Sequence, residues 1–187
     1  QHQVPKFLIK AGVPLEKIQY ISSFYIDLDV FRPLNLPKNY DLVFAARLEK
    51  NKGILNLIEA IRIVKKSKPG IKLLIIGSGP ELNRIKLLTT HYSLQTNIIF
   101  SGWLETLNDV ARAYNGARIF ICPSLNEGGP RVVLEAMACG LPVITTRIGA
   151  MPDIIKDGEN GLFVDWNPAD MVEKIRFLLS NLELQKK

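Results

Sequence analysis

Residues 42–76, LVFAARLEKNKGILNLIEAIRIVKKSKPGIKLLII, decide the fold. Leu42–Ala46 is an apolar run without polar alternation, as expected of a strand buried on both faces. Over Gly53–Ser67 the period changes, and Ile54, Leu57, Ile58, Ile61 and Val64 fall on one helical stripe. A second apolar run, Lys72–Ile76, follows. Strand, helix and strand in that order form a βαβ unit, whose crossover makes the two strands parallel.

The alternation continues in both directions. Further strands are expected at Ile98–Ser101, Arg118–Cys122, Pro142–Thr146 and Gly161–Val164, with an edge strand at Ile18–Ser22. Helical periods run over Glu81–His91, Thr106–Asn115, Arg131–Cys139 and Pro168–Ser180, the last opened by Asn167 as N-cap and Pro168 in the first turn. This predicts an α/β fold, a doubly wound parallel sheet with helices on both faces. Gln3–Gly12 reads as a short helix, Phe31–Tyr40 as a loop with two prolines and two asparagines, and the regular core begins at Asp41. Residues 1–17 read as the tail of a preceding domain or an interdomain segment, and 18–187 as the domain itself.

The 187 residues are 47% hydrophobic and 22% charged, which excludes disordered and collagen-like chains. Lys and Arg outnumber Asp and Glu by 24 to 18, giving a net charge of +6 that suits an anionic ligand. No dense basic run appears, so nucleic acid is not the expected partner. Cys122 and Cys139 read as small buried hydrophobes in a reducing compartment. No apolar run approaches the roughly 18 residues of a membrane span, and the N-terminus lacks a signal-peptide layout. His2 and His91 have no metal-site or triad spacing. The expected location is cytoplasmic. Gln1 stands where an initiator methionine would, so the chain reads as part of something longer.

Ligands of open α/β sheets bind beyond the carboxyl ends of the strands, so the segments after each strand carry the candidates. After Leu42–Ala46, Arg47 and Lys52 stand beside a helix start at Gly53. They are either an anion clamp, helped by backbone N–H groups and the helix dipole, or part of a solvated turn. After Lys72–Ile76, Gly77-Ser78-Gly79-Pro80 begins like a dinucleotide fingerprint. Leu82 takes the third glycine position, however, and no acidic residue follows at the expected distance. What remains is a place where backbone, Gly77 above all, approaches a ligand closely. Gly102-Trp103-Leu104 ends the next strand with exposed backbone and an apolar surface, open to base contact or to simple packing.

The richest segment leaves the strand Arg118–Cys122 as Pro123-Ser124-Leu125-Asn126-Glu127-Gly128-Gly129-Pro130-Arg131-Val132 and turns into a helix. Gly128 and Gly129 allow close approach, and the helix start offers N–H groups to a phosphate. Glu127 and Glu135 flank that anion site. A carboxylate there is suited to accepting hydrogen bonds from sugar hydroxyls. Alternatively, Glu135 simply pairs with Arg131 four residues away and Glu127 is exposed, an arrangement worth roughly 0.3–0.5 kcal/mol.

At this segment the sequence resembles the retaining glycosyltransferases of family 4. Glu127 and Glu135, with seven residues between them and Ala-Met-Ala-Cys-Gly-Leu-Pro-Val behind, look like that family's E-x7-E motif. Arg47, Lys52 and Gly53 match its R-x4-KG segment. Gly12–Ile18 resembles the entry to its C-terminal domain, and Gly149–Gly161, with Pro152, Asp153, Asp157, Gly158 and Asn160, resembles a further loop. The likeness spans about residues 12–180.

The resemblance implies the Rossmann-like, C-terminal, nucleotide-sugar-binding half of a two-domain GT-B enzyme. Glu127, Arg47 and Lys52 would be catalytic: the two cations on the donor diphosphate, Glu127 on hydroxyls of the transferred sugar. Glu135 would bind the nucleotide ribose. Backbone from Gly128, Gly129, Pro130, Arg131 and Val132 would hold the phosphates, and residues from Gly102, Trp103 and Leu104, near Gly77, would frame the base. No metal or other cofactor is implied beyond the donor. The other partners would be the N-terminal acceptor domain and, for the parent enzyme, the inner membrane surface. This chain alone would not turn over. Two positions depart from the pattern. Ser22–Asp27, with Phe24 and Tyr25, replaces a Pro-Asn-Gly-Val-Asp segment and changes the interdomain face. Gly129 stands where an aromatic residue is common and alters the sugar pocket. Other classes on this fold are a nucleotide-sugar epimerase, a phosphorylase-like enzyme and a non-catalytic nucleotide-binding module. An epimerase calls for acid/base histidines in the cleft, and a phosphorylase for a pyridoxal-phosphate lysine motif.

Overall fold

A computed structural model describes residues 3–19 and 25–181. Six parallel strands lie in the order β3-β2-β1-β4-β5-β6, with β1 Tyr40–Ala45, β2 Leu73–Ile76, β3 Ile98–Gly102, β4 Ala117–Cys122, β5 Val143–Thr145 and β6 Leu162–Phe163. Leu42 lies opposite both Leu73 of β2 and Ile119 of β4. The chain first winds outward from β1 to β3 and then restarts on the other side at β4. The switch point is therefore the β1–β4 junction.

The helices are α1 Gln3–Lys10, α2 Ile54–Lys65, α3 Leu82–His91, α4 Leu107–Asn115, α5 Arg131–Ala138, α6 Met151–Ile154 and α7 Pro168–Ser180. Side chains of β1 alternate between two cores. Leu42 and Phe44 pack with Ile54, Leu57, Ile58 and Ile61 of α2 and with α7, whereas Val43 and Ala45 face α4 and α5 through Tyr114, Val133 and Ala136. The predicted stripe of α2 is thus its buried face. Side-chain caps form where the sequence offers them, at Thr106 (which accepts from Asp109 N–H) and at Asn167 (which accepts from Asp170 N–H).

Three expectations need correction. Ile18 and Gln19 form no strand, and the rest of the expected edge strand, 20–22, lies outside the described residues. Among the described residues the sheet edges are β3 and β6. Apolar content at Ile18 suggested a strand where the described backbone pairs with no neighbour. The regular core begins at Tyr40, whose N–H donates to Gly116 O at 3.1 Å. The Gly149–Gly161 segment carries α6, a single turn too short to register as a period. Phe24 also lies outside the described residues, and Tyr25 is exposed.

The loop before β1 is tied down by one buried amide. Asn115 Oδ1 accepts from Leu34 N–H at 2.7 Å, and its Nδ2 donates to Arg32 O at 3.0 Å and Ala111 O at 2.9 Å. Its backbone oxygen accepts from Lys38 Nζ at 2.8 Å. Removing the amide leaves the part-buried Leu34 N–H and Arg32 O without this partner, each costing about 1–3 kcal/mol. Asn115→Ala is expected to lower the unfolding free energy by about 2–3 kcal/mol in urea titrations. A loss below about 0.5 kcal/mol would contradict this anchoring role.

Candidate donor site

The site is assembled at the carboxyl ends of the strands, which backbone hydrogen bonds lace together. Ala46 N–H donates to Ile76 O at 3.2 Å, Leu48 N–H to Ser78 O at 2.9 Å and Gly77 N–H to Gly102 O at 2.7 Å. The Gly77 N–H is therefore engaged within the fold, so this glycine contributes shape and not a phosphate donor. The register of β3 slips beside the site. Ile75 faces Phe100 but Ile76 faces Gly102, an irregularity of the kind that re-aims the residues beyond it, here Trp103 and Leu104.

Lys52 ends a short 3-10 turn, Lys50–Lys52, and Gly53 follows at φ 72°. A side chain at Gly53 would collide with the Pro123 carbonyl, so only glycine lets the β1–α2 loop lie on the β4–α5 loop. Leu125 N–H also donates to Asn51 O at 2.7 Å across the same seam. The outcome is an ion pair between Lys52 Nζ and Glu127 Oε1, with the two side chains only 17% and 22% exposed. From the far side Gly149, at φ 50°, presses its backbone against the carbonyls of Glu127 and Gly128. The Ser124 hydroxyl, fully buried, lies 3.4 Å from the same Glu127 oxygen. Its place in the quoted segment, three residues before Glu127, is the only sequence signal for this support.

A neighbouring cleft of about 790 Å³ opens between the ends of β1–β3 and the flanks of α4 and α5. Of the predicted residues, Arg47, Gly77, Trp103, Leu104, Arg131, Val132 and Glu135 line it. Lys52, Glu127, Gly128, Gly129, Pro130 and Gly102 do not. Trp103 is 73% exposed at the mouth, which removes the simple-packing reading for its side chain. No side chain caps the start of α5, where Pro130 is the N-cap residue; Val133 N–H donates to Pro130 O at 3.0 Å, which leaves the first two N–H groups, of Arg131 and Val132, to an external acceptor. The simple-pairing reading of the charged residues is met in part. Arg131 Nε does pair with Glu135 Oε1 at 3.0 Å, and Arg47 Nε with Glu49 Oε1 at 3.0 Å. Glu127, by contrast, is neither exposed nor unpaired. Each of the three cations around the site thus rests on a carboxylate.

Glu135 is nearly buried while its partner Arg131 is largely exposed. Burial pushes the Glu135 carboxyl above its usual range, against the opposing pull of Arg131 and the Tyr114 hydroxyl. Burial also pushes the Cys122 thiol up to about 11, consistent with an inert core cysteine. Among the described residues, no group of three or more His, Cys, Asp or Glu side chains is placed to hold a metal ion. No helix among them is long and apolar enough to cross a membrane. A carboxyl with a raised folded-state pKa costs stability once ionised, so the cost is present above that pKa and fades as pH falls through it. Glu135→Gln is accordingly expected to raise the Tm of the free chain at about pH 8, with the gain shrinking as the pH falls through the raised pKa. A fall in Tm at the higher pH would contradict this electrostatic picture.

Solved structures share this architecture. The C-terminal domain of LpcC, a glycosyl transferase group 1 protein from Francisella tularensis, aligns at 31% identity with a TM-score of 0.79, covering 87% of this chain and 92% of that one. TarM from S. aureus, crystallised with UDP among its ligands, aligns at 26% identity with a TM-score of 0.81 over 96% of this chain and 36% of its own. In sequence, the D-inositol 3-phosphate glycosyltransferase of Segniliparus rotundus is 31% identical over 169 residues, 83% of this chain and 38% of that protein. The chain spans between 38% and 45% of the length of the curated bacterial relatives it matches first. Residues 28–187 match the family described as glycosyl transferases group 1, with the GT-B fold of its solved neighbours, and the chain belongs to that family.

Proposed function

We propose that the chain is the donor-binding domain of a retaining, family 4 glycosyltransferase that moves a hexose from a nucleoside-diphosphate sugar to an acceptor. One observation carries the reading: an uncapped helix N-terminus and three cations meet at the β1–β4 switch point, flanked by two part-buried or buried carboxylates. A diphosphate linked on one side to a ribose and on the other to a sugar supplies what each group lacks. The phosphates take the cations and the N–H groups of α5, while the hydroxyls on either side take the carboxylates the cations leave. Glu127 then receives hydroxyls of the transferred sugar and Glu135 those of the ribose. The exposed face of Trp103, with Leu104, receives the base.

In the transfer step the bond between the anomeric carbon and the donor phosphate oxygen breaks, and its electron pair stays on the departing diphosphate. The acceptor oxygen bonds the same carbon from the same face, and its proton passes to the leaving phosphate. Arg47, Lys52 and the α5 N-terminus stabilise the charge that grows on that phosphate. Fixed donors of this kind are worth about 10²–10³ in rate each. No side-chain nucleophile and no metal enter this scheme. The acceptor site lies in the remainder of a longer enzyme, which works in the cytoplasm and at the inner membrane surface.

The clamp is tested by calorimetry with UDP, GDP and ADP. The chain is expected to bind at least one of them, and Arg47→Ala/Lys52→Ala to weaken that binding by about 10–100-fold, the loss appropriate to charge-assisted contacts. Absence of binding by any of the three, or equal binding by the double variant, would overturn the assignment.

A further inference from the structure

Tyr114, at the end of α4, is wholly buried. Its ring is fixed edge-on to Phe120, with centroids 5.2 Å apart, and against Phe31 at 6.2 Å. Its hydroxyl is enclosed and finds no hydrogen-bond partner among the described residues. Only one other buried side-chain atom there shares that condition, Asn97 Oδ1, and the amide nitrogen of Asn97 already donates to Pro69 O and Ile71 O. Tyr114 has no second polar atom to justify it. Phenylalanine would pack the same space without stranding a donor, so the hydroxyl lacks a purpose in the free chain.

The place of that hydroxyl suggests its purpose. Tyr114 forms part of the cleft wall together with Glu135 and Arg131. Its hydroxyl stands beside Glu135 without meeting hydrogen-bond geometry in the free chain. Burial is the main influence that raises the Glu135 carboxyl, and the Tyr114 hydroxyl works against it. In return, the Tyr114 hydroxyl is held un-ionised, first by its own burial and then by the charge on Glu135. In the free chain Glu135 relies on Arg131, which stands at the mouth of α5 where the phosphates are expected. When Arg131 turns to a phosphate, a desolvated carboxylate is left without its cation. It then needs donors, and two sources remain: a ligand hydroxyl from the cleft and the Tyr114 hydroxyl from the core.

We infer that Tyr114 is a positioning residue for Glu135, its hydroxyl donating to the carboxylate in the nucleotide-bound state and so aiming it at the ribose. This rests on the donor-site reading above and adds to it the residue that sets ribose recognition. A site whose polar groups are arranged for a hydroxyl discriminates strongly against a ligand that lacks it.

The test is calorimetry on the chain with UDP, GDP and ADP, then with the 2′-deoxy and 3′-deoxy forms of the tightest binder. Wild type, Tyr114→Phe, Glu135→Gln and the double variant are compared, with the Tm of each free chain. Wild type is expected to prefer the ribonucleotide over at least one deoxy form. Tyr114→Phe should weaken ribonucleotide binding by about tenfold and narrow that preference, while leaving the Tm of the free chain unchanged or raised. Because Tyr114 acts through Glu135, the double variant should bind no worse than Glu135→Gln alone. Unchanged affinity and preference in Tyr114→Phe, with or without a lower Tm, would overturn the inference by marking the tyrosine as structural. Losses that simply add in the double variant would overturn it as well. If wild type binds but shows no ribose preference, the role of Glu135 fails and this inference with it. If wild type binds none of the nucleotides, the donor-site reading itself is wrong.

Discussion

The parallel pairing of β1 with β4 is the constraint on which the site depends. Leu42 opposite Ile119 and Val43 opposite Phe120 bring the carboxyl ends of two strands together that are far apart in sequence. Their following loops then meet at Gly53 and Pro123, too close for any side chain between them. Lys52 can reach Glu127 only because of that contact. A single backbone approach, fixed by sheet register on one side and by the absence of a Cβ on the other, thus converts two separate motifs into one charged site.

The charges at this site are balanced before any ligand arrives. Arg47 rests on Glu49, Lys52 on Glu127 and Arg131 on Glu135. Such an arrangement binds a bare anion weakly, since each cation must first give up its carboxylate. It favours a ligand that carries phosphates and hydroxyls in one molecule, because the hydroxyls receive the carboxylates that the phosphates displace. Nucleoside-diphosphate sugars have that composition, with hydroxyls on both sides of the diphosphate. Selectivity for the whole donor then follows from the exchange of partners and not from the cations alone.

Much of this was legible in the sequence because the sheet is buried on both faces. Strands such as Leu42–Ala45 and Leu73–Ile76 have no polar face to blur, and their ends point to the residues that line the cleft, from Arg47 to Trp103 and Arg131. Other features left no trace. Ile18 looked like a strand because apolar content does not reveal whether a neighbour exists to pair with. The turn of α6 is shorter than the period that would announce it. Tyr114 sits on the buried face of α4, where a tyrosine that packs and one that also positions a carboxylate have the same spacing; only the unmet hydroxyl separates them. The carboxylate partner of Lys52 was equally hidden, since its pairing with Glu127 across two loops depends on tertiary contact.

The central claim is that donor binding exchanges carboxylates for phosphates around one helix N-terminus. A crystal structure of the chain with a bound nucleoside-diphosphate sugar tests it most directly. The expected result places phosphate oxygens within hydrogen-bond distance of Lys52 Nζ, Arg47 and the leading N–H groups of α5, with Glu127 turned to a sugar hydroxyl and Glu135 to the ribose. A donor bound elsewhere, or bound here with the Lys52–Glu127 and Arg131–Glu135 pairs intact, would contradict it.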